Sequence, residues 1–89
     1  MNIFSNQSST NSFDILQNAR QDLCSEIQAV IDYDNRIKST TDPIAKHTWI
    51  NIRNEELTHV GETLGLLNYL DPEQKQYVQL GLTEFEKKT

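Results

Sequence analysis

Two Asp-Pro pairs, Asp42-Pro43 and Asp71-Pro72, are the features that most constrain this chain, because they are its only prolines and each carries the signature of a helix start. Aspartate is a favoured N-cap, its side chain accepting from N–H groups that a first helical turn leaves unpaired. Proline is harmless at the first helical position, where its missing N–H has no intrahelical partner anyway. Between Ser12 and Lys38 there is neither Gly nor Pro. Over that span Leu16, Ala19, Leu23, Glu26, Val30, Tyr33 and Ile37 step along in three- and four-residue intervals, the period of one helical stripe. The spacing predicts one long helix, a break at Ser39–Asp42, a second helix from Pro43 to about Asn68, and a third from Pro72. Gln74 sits where it can complete a capping box with Asp71. Tyr77, Val78, Leu80, Leu82 and Phe85 give the third helix apolar material, and Gly81 with Lys87-Lys88 shortens and frays it. No strand pattern, internal repeat or Gly-rich phosphate loop is present, so the fold class is all-α: an antiparallel two-helix hairpin plus a short third helix.

The domain organisation follows from composition. Residues 1–11, rich in Ser, Asn, Gln and Thr, have no periodicity and read as a disordered leader; residues 12–89 form a single domain. With 89 residues and 36% hydrophobic content, the core is thin for a self-sufficient fold, and oligomerisation is expected. A net charge of −5 without a concentrated Lys/Arg face argues against nucleic acid and against an anionic membrane. No apolar run approaches the roughly 20 residues of a membrane-spanning helix. A single cysteine cannot form an internal disulfide, and the amino terminus has no signal-peptide pattern; a cytoplasmic location is expected. Cys24 lies off the seam and reads as an inert buried thiol.

The second helix carries the chemistry. Ala45, Trp49, Ile52, Glu56, His59, Thr63, Leu66 and Leu70 follow one stripe, and Glu56 and His59 stand where leucines would be expected. Gly61 and Gly65 read as points of close approach for another backbone. Taking the turn as the axis of an antiparallel hairpin, Glu26 comes level with Glu56, Tyr33 with Trp49 and Leu23 with His59, roughly 20 Å from the turn. Two carboxylates and an imidazole thus converge in an apolar seam, where each needs compensation. Carboxylate with imidazole suits Fe or Mn, whereas structural zinc more often recruits cysteines. In di-iron carboxylate bundles two helices each supply a Glu and two each supply Glu-x-x-His. This chain has one helix of each kind, so it carries half a site, and a two-fold homodimer forms the complete four-helix bundle. Taken one at a time, the residues have simpler readings: Tyr33 and Trp49 as core aromatics, His47 as a solvated side chain, Glu55 and Glu62 as surface charges. The convergence of Glu26, Glu56 and His59 is what favours a metal.

At these residues the sequence resembles the encapsulated ferritins. The run from Glu26 through Tyr33 and Asp34 to Arg36, the turn from Ser39 to Asp42-Pro43, the stretch from Asn51 and Arg53 to Glu56 and His59, and Leu70-Asp71-Pro72-Glu73 are similar to the family's signatures. The spacing of thirty residues from Glu26 to Glu56 is also the family's. The resemblance implies a ferritin-like fold and a ferroxidase that oxidises Fe(II) to Fe(III) at a di-iron site. It implies Glu26, Glu56 and His59 as ligands and Tyr33 as a near neighbour of the metal pair. It further implies a ring-like homo-oligomer of dimers storing iron inside an encapsulin shell. Family members are commonly acidic at the positions of Ser25 and Gln28, where iron is collected on the outer side of the helix; Asp22, Asp32 and Asp34 are the local substitutes here. They also dock in the shell through a C-terminal tail; the sequence stops at Thr89, so either that tail has been removed or targeting differs here. A rubrerythrin-like scavenger of peroxide or oxygen would share the ligands, but no Cys-x-x-Cys module is present. A non-catalytic helical assembly protein, its polar seam fixing dimer register, is the third reading.

Overall fold

The computed structural model describes residues 12–89, so the expected leader over 1–11 lies outside the described residues. Three helices follow in order: α1 (Ser12–Ser39), α2 (Pro43–Leu70) and α3 (Pro72–Lys88). Among the described residues there is no strand. The architecture is therefore all-α, with α1 and α2 packed against each other as the predicted hairpin.

Both Asp-Pro pairs act as expected. Asp42, in extended conformation, accepts from the Ile44 and Ala45 N–H groups at 2.9 and 3.0 Å. Asp71 does more. Its N–H donates to the Leu67 carbonyl at 2.8 Å, closing α2, while its Oδ1 accepts from the Gln74 N–H at 3.1 Å, opening α3. One residue thus ends one helix and starts the next, which is why α2 continues to Leu70, beyond the expected end near Asn68. The Gln74 side chain is not in a reciprocal capping box: its Oε1 instead accepts from Arg20 Nε of α1 at 2.8 Å. A charged donor makes the stronger hydrogen bond, and it draws Gln74 away.

The molecule is one helix deep. Its extents are 55 × 46 × 14 Å and its radius of gyration is 17.9 Å, against about 12 Å for a compact domain of this length. Helix α3 packs only at its junction with α2 and reaches α1 through the Arg20 side chain. Only Ala19 and Leu67 are fully buried among the described residues, while large apolar side chains on every helix, including Ile31, Leu57, Val78 and Phe85, stay exposed. Such a slab has no interior in which to place a core.

The stripe on α2 differs from expectation. The half-buried or buried positions along the stripe are Ala45, Trp49, Ile52, Glu56, Val60, Thr63, Leu67 and Leu70, with Ile50 and Arg53 half-buried beside it, while His59 and Leu66 are exposed. A strict four-three alternation averages 3.5 residues per turn, and a straight helix of 3.6 drifts away from it by about 20° per heptad. One extra four-residue step, from Glu56 to Val60, absorbs the drift. Gly61 and Gly65 also depart from expectation. A Cβ on either would meet nothing within 4 Å, because both lie on the side of α2 turned away from α1. Cys24 is exposed rather than buried.

Asp42→Ala removes the acceptor for two N–H groups and should cost about 1 kcal/mol, lowering the melting midpoint by roughly 4–8 °C in a domain of this size. Asp42→Ser should recover most of the loss, as followed by circular dichroism.

Candidate metal centre

Glu26 lies at the middle of α1, half-buried against α2, and its Oε1 is buried with no hydrogen-bond partner. Its neighbours along the α1 stripe, Leu23 and Val30, are apolar and offer no donor. An unpaired buried carboxylate oxygen costs several kcal/mol or draws in a counter-charge. It is the one buried side-chain oxygen or nitrogen left unsatisfied among the described residues.

Glu56 and His59 are brought together by one turn of α2, as their spacing requires. His59 Nδ1 stands 3.5 Å from Glu56 Oε1, beyond good hydrogen-bond distance. Neither side chain is therefore committed to the other, and both can turn toward a shared cation. Their exposures differ, with the Glu56 side chain at 23% and that of His59 at 49%. The imidazole sits at the rim of the seam, open on the face of the slab rather than inside it.

Within one chain these three residues do not form a complete site. Among the described residues no three His, Cys, Asp or Glu side chains gather closely enough to hold a metal ion. The donor set still fits hard or borderline cations such as iron, which take carboxylate oxygen and imidazole nitrogen. The orphaned Glu26 oxygen gives that fit a structural reason.

Tyr33 is half-buried seven residues beyond Glu26, about 10 Å along the axis, and its ring lies under Arg36, whose Cζ is 4.9 Å from the ring centroid. A guanidinium on its own helix thus covers one face of the ring. Glu55 and Glu62 are exposed, and His47 is exposed with its Nε2 3.4 Å from Asn51 Nδ2, so all three are surface groups as read from the sequence.

The outer side of α1 carries a shallow concavity lined by Gln21, Cys24, Ser25, Gln28, Ala29 and Asp32. It lies on the helix side turned away from Glu26, so it is not the metal centre. Here Gln28 Nε2 donates to Asp32 Oδ1 at 3.0 Å, and Asp34 is taken by Arg53 at 2.9 Å. Of the acidic substitutes named for an outer iron-collecting site, Asp32 and Asp34 are thus already engaged. The partners of Arg20 and Arg53 were missed in the sequence, although one signal was available: each arginine stands one turn from a seam position on a chain poor in cations.

No protein-family model and no curated protein matches the chain. Among solved structures, the crystal structure of the encapsulated ferritin domain from Pyrococcus furiosus superposes with a TM-score of 0.84, at 26% sequence identity, covering 86% of this chain and 79% of that one. Among the described residues no helix is long and apolar enough to cross a membrane.

Glu26→Leu should stabilise the metal-free protein by about 1 kcal/mol, because it removes a carboxyl oxygen buried without a hydrogen-bond partner, while weakening Fe(II) binding. A metal-free Leu variant that melts below the parent would show that the Glu26 oxygen is not an energetic burden.

The resemblance to the encapsulated ferritins carried by Glu26, Glu56, His59 and the two Asp-Pro turns is borne out at the level of the whole fold: this chain has the ferritin-like helical architecture of an encapsulated ferritin domain.

Proposed function

We propose that the chain is a ferroxidase, oxidising Fe(II) to Fe(III) at a di-iron site shared between two copies. The observation that carries this reading is the unpartnered Glu26 carboxylate oxygen beside a helix bearing Glu56 and His59. One chain offers two carboxylates and one imidazole. A two-fold partner brings the same set from the opposite side, giving the four carboxylates and two histidines of the di-iron pattern. The flat, open faces of the slab support such a pairing, since a second hairpin supplies the missing layer of a four-helix bundle. Iron is here the substrate, each ferrous ion giving one electron to an oxidant such as dioxygen. Glu56 would bridge the two ions, each ion would also be held by a Glu26 and a His59, and the carboxylates would offset the added charge of the ferric product. Tyr33 is a neighbour of the pair rather than a ligand.

A slab of this kind encloses no volume for mineral. Storage therefore falls to a surrounding compartment, and we read the solved relative's description as encapsulated as support for an encapsulin shell with a ring-like homo-oligomer of this chain inside it.

Aerobic addition of Fe(II) should raise near-ultraviolet ferric absorbance faster than buffer alone. Glu56→Ala should lose most, by about 100-fold or more, since it affects both ions, with Glu26→Ala and His59→Ala intermediate and His47→Ala and Glu62→Ala near parental. A parent no faster than buffer, or a folded Glu56→Ala variant with full activity, leaves the assembly-protein reading in its place. Fe(II) should also drive association, because metal-binding free energy is available only to the paired chains. Size-exclusion profiles and melting midpoints with and without metal measure this, and indifference to Fe(II) removes the shared site.

A further inference from the structure

We propose that Arg20 and Arg53 are positioning residues for this centre, two ionic pins that bracket Glu26 and fix the register of α1 against α2; the proposal rests on the ferroxidase reading. Arg53 precedes Glu56 by one turn and crosses to α1, where its Nη1 donates to Asp34 Oδ1 at 2.9 Å, while its Nε donates to Asn54 Oδ1 at 3.1 Å. Arg20 precedes Glu26 by six residues and reaches the α2–α3 junction, donating from Nη2 to Asp71 Oδ2 and from Nε to Gln74 Oε1, both at 2.8 Å. The acceptors are themselves tied down, since Asp71 Oδ1 holds the Gln74 N–H. One pin therefore stands on the open side of Glu26 and the other on the turn side.

Side-chain packing along the seam leaves part of this work to the ion pairs. The seam between the two rods includes small side chains, Ala19, Ala45 and Thr63, and only two residues of the chain's described part are fully buried. Three residues, Thr40 to Asp42, join the helices. A slip of one residue displaces Glu26 along α2 by about 1.5 Å, several times the roughly 0.2 Å tolerance of a metal–ligand distance. Partly exposed ion pairs add little stability by themselves, so removing one should disturb geometry more than folding. Arginine, with a planar fork meeting two acceptors, suits the task where lysine does not.

The test measures two properties of Arg20→Gln, Arg53→Gln and the charge swap Asp34→Arg with Arg53→Asp. The first is the Fe(II) concentration giving half-maximal oxidation. The second, on metal-free protein, is the spin-label distance between native Cys24 and an introduced Thr58→Cys, both exposed on outer sides of the hairpin, with labelled chains diluted in unlabelled ones. Each Gln variant should keep its helical circular dichroism, need about fivefold more Fe(II) for half-saturation, and broaden the distance distribution; the swap should return both toward parental values. Helical variants with parental half-saturation overturn the positioning role, whether or not the distances broaden. A swap that restores neither property overturns it too. A parent that never oxidises iron overturns the ferroxidase reading instead, and the distance distribution alone then decides whether the arginines set register.

Discussion

A molecule one helix deep has no inside, and that constraint shapes every other feature of this structure. Two 28-residue helices laid side by side bury a single seam, and each then shows an apolar flank to solvent on both faces. Hydrophobic burial scales with the area removed from water, so most of what this sequence can gain lies outside a single chain. The same geometry explains why Glu26 is tolerable. Its Oε1 is buried while the residue as a whole is only half-buried, so in a slab this thin the missing partner can come from another molecule.

Polar groups take over tasks that a core would perform elsewhere. Asp71 accepts from the first turn of α3, donates its own N–H to the last turn of α2, and receives the Arg20 guanidinium. A helix junction of one residue leaves few backbone torsions to vary, and the arginine constrains the direction in which α3 leaves. Asp42 and Asp71 are therefore alike in sequence and unlike in consequence: the first only starts a helix, whereas the second joins all three.

Much of this could be read from residues alone. The helix boundaries were legible because Asp-Pro is a local signal whose physics is complete within a few residues, and the Glu56 and His59 pairing because one helical turn brings them together. Glu26 was legible as a carboxylate standing in an apolar stripe. Less visible was what depends on accumulated geometry. The small excess of 3.6 over 3.5 residues per turn moved Val60 and Leu67 into the seam and put His59 at its rim. The diversion of Gln74 to Arg20 depended on two segments more than fifty residues apart, and Cys24 was misplaced because burial was inferred from residue type in a chain with almost no buried positions. The proposed closure of a metal centre between two chains is a relation that one sequence expresses only as a half-pattern.

The architecture has a kinetic side as well. Contacts in a hairpin joined by three residues are set by neighbours in the chain or by the zipping of one helix along the next, and α3 adds only its junction. Topologies dominated by such local pairing form quickly, and a chain with so little buried surface has little to slow its opening again. On the proposed pairing of two copies, the lifetime of the folded hairpin would depend on how soon the second one arrives, a rate proportional to concentration. Dilution and synthesis rate, rather than any property of the isolated helices, would govern how long a newly made chain spends half-finished.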